Sequence, residues 1–283
     1  MRTSSYLPHL PLARARVPRR RGRIVWDRNE TMGTAPAPSG TFPWLASLFV
    51  LFRSGEALFM CAGTVVTPNL ILTAAHCFTN NAESDTWFAR VGDNFILAPD
   101  AHEQTFRVKR IIVHEGFDPL REDGGDGRHD IALVALYPHR DGSLIRFSRD
   151  VAPICFPTPD YPLSKLYEEH CEIAGWGMTE YNNTSSYPDS VRAARITVGD
   201  IPKNYCDYLY QRDVFNTGKF CAGGSVDACQ EDSGGPLVCR LGDAYHVVGI
   251  VSSGKGCGVY PGLYTEVSRY IDWLAYWVER ESL

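Results

Sequence analysis

Asp227-Ala228-Cys229-Gln230-Glu231-Asp232-Ser233-Gly234-Gly235-Pro236 is the stretch from which the rest of the chain is best read. It is too polar and too rich in glycine for a regular element, so it reads as a tight loop gathering a hydroxyl, three acids and a cysteine. Short apolar runs lie along the chain before and after it: Trp44–Phe52, Cys61–Val66, Leu70–Ala75, Phe106–Val113, Ile131–Leu136, Cys171–Gly175 and His246–Val251. Clusters of Gly, Pro, Asn and Asp separate them, the pattern of an all-β sandwich or barrel. Only the C-terminus reads as a helix. There Val267, Tyr270, Ile271, Leu274, Trp277 and Val278 recur at three- and four-residue spacing and predict one apolar stripe packed on the core.

Composition narrows the class. With 44% hydrophobic and 22% charged residues the chain is that of a soluble globular protein, not a fibrous or disordered one. The longest uncharged stretch, Ala57 to Ala82, is broken by Pro68-Asn69, so no membrane span is expected. The net charge of −5 is unevenly spread: residues 1–23 hold seven Arg and no acid, while the remaining 260 carry 21 basic and 33 acidic residues. A folded body that acidic lacks the clustered Lys and Arg that phosphate contacts need, which excludes a nucleic-acid partner. Residues 1–41, rich in Arg, Pro and Gly, read as an unstructured leader.

Nine cysteines are present, none in a CxxC pair, and no histidines sit beside them at zinc spacing. They read as a disulfide framework formed in an oxidising compartment. Sequons at Asn29, Asn182 and Asn183 agree with export, so the expected location is extracellular. Residues 1–23 contain no apolar signal-peptide core, which is the expectation for the downstream part of a longer secreted precursor. An odd cysteine is left over and points to a partner outside this chain.

Two further stretches belong with the glycine-rich loop: Thr73-Ala74-Ala75-His76-Cys77, after an apolar strand, and His129-Asp130-Ile131-Ala132-Leu133, opening another. Singly, His76 fits a satisfied core histidine and Asp130 a turn residue. Together, in the order His, Asp, Ser, they resemble the trypsin-like (chymotrypsin-fold) serine proteases, over nearly the whole chain from Phe42. The resemblance implies two six-stranded antiparallel β-barrels packed together with a C-terminal α-helix. It divides the chain into a basic, disordered pro-segment remnant (1–23) and a protease domain (24–283). Arg90-Val91-Gly92-Asp93 and Asp130-Ile131-Ala132-Leu133-Val134 further resemble neurotrypsin-like, multi-domain members.

The site residues follow from that resemblance. A serine hydroxyl is a poor nucleophile until a base takes its proton, and an imidazole with an ordinary pKa near 6.5 can do so. His76, Asp130 and Ser233 would therefore be catalytic, and the backbone N–H groups of Glu231 and Ser233 would form the oxyanion hole. Ser252 would support the aspartate and pair with substrate backbone. Asp227 would floor the primary pocket, with Gly254 and Gly262 as its open walls, which selects Arg or Lys in protein or peptide substrates. The implied disulfides are Cys61–Cys77, Cys171–Cys239, Cys206–Cys221 and Cys229–Cys257, leaving Cys155 to bond an upstream chain. No cofactor is required, no metal is needed, and Pro261 argues against sodium dependence; calcium at Asp93, Asp100 and Glu103 is weighed against a plain acidic turn.

Activation would follow cleavage by another protease after Arg23, with the new amino group of Ile24 buried against Asp232. Two features depart from the family. Trp26-Asp27 replaces the usual glycine pair, and the 19 positions from Ile24 to Pro43 exceed the family's spacing, which counted back lands near Thr31. Nearer the chemistry, Glu231 replaces the oxyanion glycine, and Ser253 replaces a common aromatic. An acidic run (Glu115, Asp118, Glu122, Asp123, Asp126) precedes Asp130 and would steer basic substrates. The alternative to a zymogen-type endopeptidase is a catalytically impaired homologue acting as a binding module.

Overall fold

A computed structural model describes residues 35–120, 127–158 and 171–282, with Tyr161, residues 163–166 and Glu169 between the last two. The first described element is a two-residue strand, β1 (Ala35–Pro36). Six strands then close into a barrel: β2 (Leu45–Leu51), β3 (Ala57–Thr67), β4 (Leu70–Thr73), β5 (Trp87–Val91), β6 (Gln104–Val113) and β7 (Ala132–Leu136). Their order round the barrel is β2-β3-β4-β7-β6-β5, every pairing antiparallel. Trp87, Ala89 and Val91 of β5 are buried while Phe88 and Arg90 between them are partly exposed, the period-two alternation of a strand with one face in the core. Leu48, Val65, Ile71, Phe106 and Val134 fill the interior.

The second half contains β8 (Cys171–Gly175), β9 (Arg192–Ile196), β10 (Lys219–Ala222), β11 (Pro236–Leu241), β12 (Ala244–Ser253) and β13 (Gly262–Glu266). With β1 on its edge they form a seven-stranded sheet, β1-β9-β8-β11-β12-β13-β10. The expected second barrel is thus a curled sheet whose ends are joined by one bridge, Val198 to Ala222, and by the Gly223 N–H on the Thr197 carbonyl. The seam carries no ladder because the chain turns away through Gly199 and Gly223, both at positive φ. Ile173, Val198, Leu237, Val248 and Tyr264 form its core. A separate apolar layer (Trp44, Leu72, Leu133, Trp176, Ile250, Leu274) joins both halves to the C-terminal helix.

Among the described residues two α-helices accompany the sheets, α1 (Lys203–Tyr210) and α2 (Ile271–Glu281). The apolar stripe expected at the C-terminus is α2 with the preceding turn Val267–Tyr270, and its buried residues include Val267, Tyr270, Leu274 and Val278. The sequence pattern missed α1, because it buries only Cys206 and Tyr210 and so has no stripe. No helix among the described residues is long and apolar enough to cross a membrane. All four implied disulfides are formed, and Cys155 belongs to none of them. Cys229–Cys257 matters most for function, since it ties the Ser233 loop to the segment after β12.

Candidate active site

His76, Asp130, Ser252, Ser233 and Asp227 lie at the seam where the barrel and the sheet adjoin. His76 sits in a short turn of 3₁₀ helix (Ala75–Phe78) directly after β4. Asp130 directly precedes Ile131 and β7, the barrel neighbour of β4, so the Thr73↔Ala132 pairing brings His76 and Asp130 together. The contact is double: the His76 backbone N–H donates to Asp130 Oδ1 at 2.9 Å, and Nδ1 stands 2.8 Å from Oδ2. Ser252 Oγ also donates to Oδ2, while Thr265 Oγ1 donates to the Asp130 carbonyl at 2.8 Å. Asp130 is 2% exposed. Burial alone would raise its pKa, but the charge and hydrogen bond of His76, the charge of buried Lys219 on β10, and the Ser252 hydroxyl outweigh it and hold it at about 2. The carboxylate is therefore ionised at any physiological pH.

Ser233 approaches from the other half. Its carbonyl accepts the Ala62 N–H of β3 at 2.9 Å and lies 4.0 Å from the sulfur of Cys77, the neighbour of His76. The approach depends on Gly234 at φ +80, where a Cβ would stand 2.1 Å from Thr73 Oγ1 and 2.5 Å from the Ala62 carbonyl. Among the described residues no hydrogen bond joins the Ser233 hydroxyl to His76. Catalytic hydrogen bonds are often long before substrate arrives and tighten in the complex. Likewise, no acceptor among the described residues takes the amide N–H of Ser233 or of Glu231. Glu231 is held at φ +72, the left-handed region that costs a non-glycine residue about 1 kcal/mol. Its side chain accepts the Tyr187 hydroxyl.

A cavity of about 290 Å³ opens beside Ser233, lined among others by Asp227, Ser252, Gly254 and Gly262. Asp227 is 4% exposed, and its Oδ1 accepts the Ala228 N–H (2.8 Å) and the Tyr264 hydroxyl (3.1 Å). Desolvation, with a smaller contribution from Asp232, raises it to about 7, and no cation pairs with it among the described residues. A Cβ at Gly262 would fall 2.2 Å from Oδ1 and force the carboxylate to shift; one at Gly254 would sit 3.6 Å from Oδ2. Tyr264, two positions from Gly262 on the same strand face, was missed from sequence although period-two alternation could have found it. Tyr187 lies 44 positions from Glu231, and nothing in the sequence pairs them.

Asp232 lines a neighbouring cleft beside Gly175 and Gly177. Its oxygens accept the N–H groups of Gly177 (2.8 Å) and Cys229 (3.0 Å), and desolvation raises it to about 6. Arg23 and Ile24 lie outside the described residues, as do Thr31, Glu122, Asp123 and Asp126. Of the acidic run, Glu115 accepts Trp273 Nε1–H at 2.9 Å and Asp118 bridges Arg128 in backbone pairing.

The acids weighed for calcium have other occupations. Asp100 accepts the N–H groups of Asn94 and Phe95, Arg90 stands 3.5 Å from Glu103 and 3.9 Å from Asp93, and Ser47 donates to Asp93. Asp93 Oδ1 is buried without a partner, and burial followed by Glu103 raises its pKa to about 7. Among the described residues the only three metal-type ligands that converge are Cys61, His76 and Cys77, of which the cysteines are disulfide-bonded. Asp93 and Glu103 thus flank the Arg90 guanidinium, while Asp100 caps the Asn94 and Phe95 amides.

This fold and seam define a serine endopeptidase domain of the chymotrypsin type: the Trypsin family model matches residues 31–274, and the chain belongs to that family. The match begins beside Thr31, not at Ile24. Among curated relatives, the chain is 32% identical over 269 residues to the hepatocyte growth factor activator serine proteases of the dog, Canis lupus familiaris, covering 93% of this chain and 39% of the relative. It is 34% identical over 243 residues to tissue-type plasminogen activator of the mouse, Mus musculus, covering 82% of this chain and 42% of the relative. The chain thus spans about two fifths of the length of these relatives, and neither supports the narrower neurotrypsin-like expectation.

Proposed function

We propose that this chain is the protease part of a secreted zymogen that hydrolyses peptide bonds after Arg or Lys through an acyl-enzyme. The observation that carries the reading is the cavity beside Ser233 floored by the desolvated, cation-free carboxylate of Asp227. A guanidinium or ammonium entering it would pair with the Asp227 carboxylate, and the bond following that residue would lie over Ser233.

The chemistry then follows from the contacts. His76, its Nδ1 held by ionised Asp130, presents Nε2 as the base for the Ser233 hydroxyl. As the hydroxyl oxygen attacks the carbonyl carbon, its proton passes to Nε2, and Asp130 favours the imidazolium. The same proton then goes to the leaving amine when the C–N bond breaks. Water repeats the sequence to release the acid. The N–H groups of Glu231 and Ser233, without acceptors among the described residues, are the donors available to the oxyanion.

Cleavage after Arg23 would give Ile24 an amino group for Asp232, whose carboxylate has amide donors but no cation among the described residues. Cys155 would hold an upstream chain. A second reading, a binding homologue with impaired catalysis, is favoured by the Glu231 side chain and the unmade Ser233–His76 hydrogen bond. The test is to treat the chain with a basic-specific protease, sequence the new N-terminus, and digest a denatured protein with the product. Fragments ending only in Arg or Lys are expected once Ile24 is exposed; no cleavage after any processing favours the homologue.

A further inference from the structure

Residues 178–187 are fastened to the Gln230–Glu231 pair at three places. The Met178 N–H donates to the Gln230 carbonyl at 3.0 Å, Gln230 Nε2 donates to Asn182 Oδ1 at 2.8 Å, and the Tyr187 hydroxyl donates to Glu231 Oε1. The segment is also closed on itself. Thr179 gives both its N–H (3.2 Å) and its hydroxyl (2.9 Å) to the Ser186 carbonyl, and the Glu180 N–H reaches Ser186 Oγ at 3.0 Å. It is therefore a braced loop able to hold what it binds.

What it binds is the anomaly of the site. Glu231 has a left-handed backbone and a half-buried carboxylate two residues from Ser233. Among the described residues no basic side chain pairs with that carboxylate, and Tyr187 is its only side-chain hydrogen-bond donor. A loose anion there would oppose the negative charge that develops on the substrate oxygen, and a relaxed peptide would turn the N–H away.

We infer that Tyr187 is a positioning residue: its hydroxyl ties the Glu231 carboxylate to the 178–187 loop, keeping that charge bonded and the Glu231 N–H open to the oxyanion. The inference rests on the reading of Ser233 as nucleophile. It explains how a chain with glutamate in place of the family's glycine can keep a working oxyanion site. It also makes the loop a control element, since whatever displaces residues 178–187 loosens the donor.

The test is a double-mutant cycle on the activated enzyme with Tyr187→Phe and Glu231→Gly. Losing an oxyanion donor outright costs about 10²–10³ in kcat, so loosening one should lower kcat of Y187F about tenfold on a small Arg amide, with KM changed by less than about twofold. In the E231G background the same Tyr187→Phe change should alter kcat by less than about twofold, because no carboxylate is left to tie. Thermal unfolding of the four proteins separates folding from catalysis. A kcat of Y187F equal to that of the parent, or an equal fall in both backgrounds, overturns the inference; so does coupling seen in Tm but not in kcat. If no protein of the four takes a serine-directed label at Ser233, the catalytic reading itself has failed and this inference falls with it.

Discussion

Replacing Asp227 with Asn changes little in shape but removes the one negative charge that floors the cavity. Its worth can be worked from the surroundings. A guanidinium about 4 Å from the carboxylate, at the effective dielectric of about 20 that suits such sites, gains roughly 4 kcal/mol, equivalent to about 10³ in rate. Part of that is offset because the open mouth of the cavity admits water, so D227N should lose about 10²–10³ in kcat/KM for Arg substrates. The loss should be far smaller for substrates with an apolar residue there. A second signature is pH. Empty, Asp227 is raised to about 7, and a bound cation favours its ionised form. An aryl amidine inhibitor, cationic throughout the range, should therefore bind more weakly as pH falls below 7, by up to about tenfold per unit, and level off above 8. In D227N the profile should be flat between pH 5 and 9. Steady-state kinetics with matched Arg and Leu peptides and an inhibitor titration at several pH values decide the matter. An unchanged Arg preference in D227N, or an amidine profile indifferent to pH in the parent, would refute the reasoning.

Gly262→Ala puts a Cβ 2.2 Å from Asp227 Oδ1, so kcat/KM for Arg amides should fall by at least about 10², while a small serine-directed reagent still labels Ser233. Asp232 has a folded pKa raised to about 6 against 3.8 unfolded, so its charge weakens the fold increasingly from pH 4 to pH 6 and fully above that. Asp232→Asn should thus stabilise the uncleaved chain on the order of 1–2 kcal/mol at pH 8 and hardly at all at pH 4, as read by thermal melts. The same variant should stay inactive after cleavage at Arg23. Because Arg90 already stands between Glu103 and Asp93, adding millimolar calcium should raise Tm by less than about 1 °C; a rise of several degrees would place the ion in that loop.

Legibility from sequence tracked how local each cause is. Strands such as Cys171–Gly175 were read at their exact ends because apolar runs bounded by turn residues depend on neighbours a few positions away. Helix α1 was not, since only two of its residues are buried and they leave no apolar stripe to read. His76, Asp130, Ser233 and Asp227 stand in motifs that the sequence displays, and the approach of His76 to Asp130 follows from the pairing of Thr73 with Ala132. Tyr187 and Lys219 were not legible. Each acts on a residue more than forty positions away through a fold that no spacing rule encodes. That the sheet ends meet only through the Val198–Ala222 bridge was hidden for the same reason, because closure of a sheet depends on where its last strands diverge.

The proposed activity requires a hydroxyl made nucleophilic by an imidazole. The most direct measurement is the rate and site of phosphonylation by a serine-directed reagent, followed by mass spectrometry, in the cleaved chain and in its His76→Ala variant. One label per chain at Ser233, appearing after cleavage and slowed by about 10³ or more without the imidazole, is the expected result. A cleaved chain that takes no label, or one labelled at the same rate without His76, would contradict it.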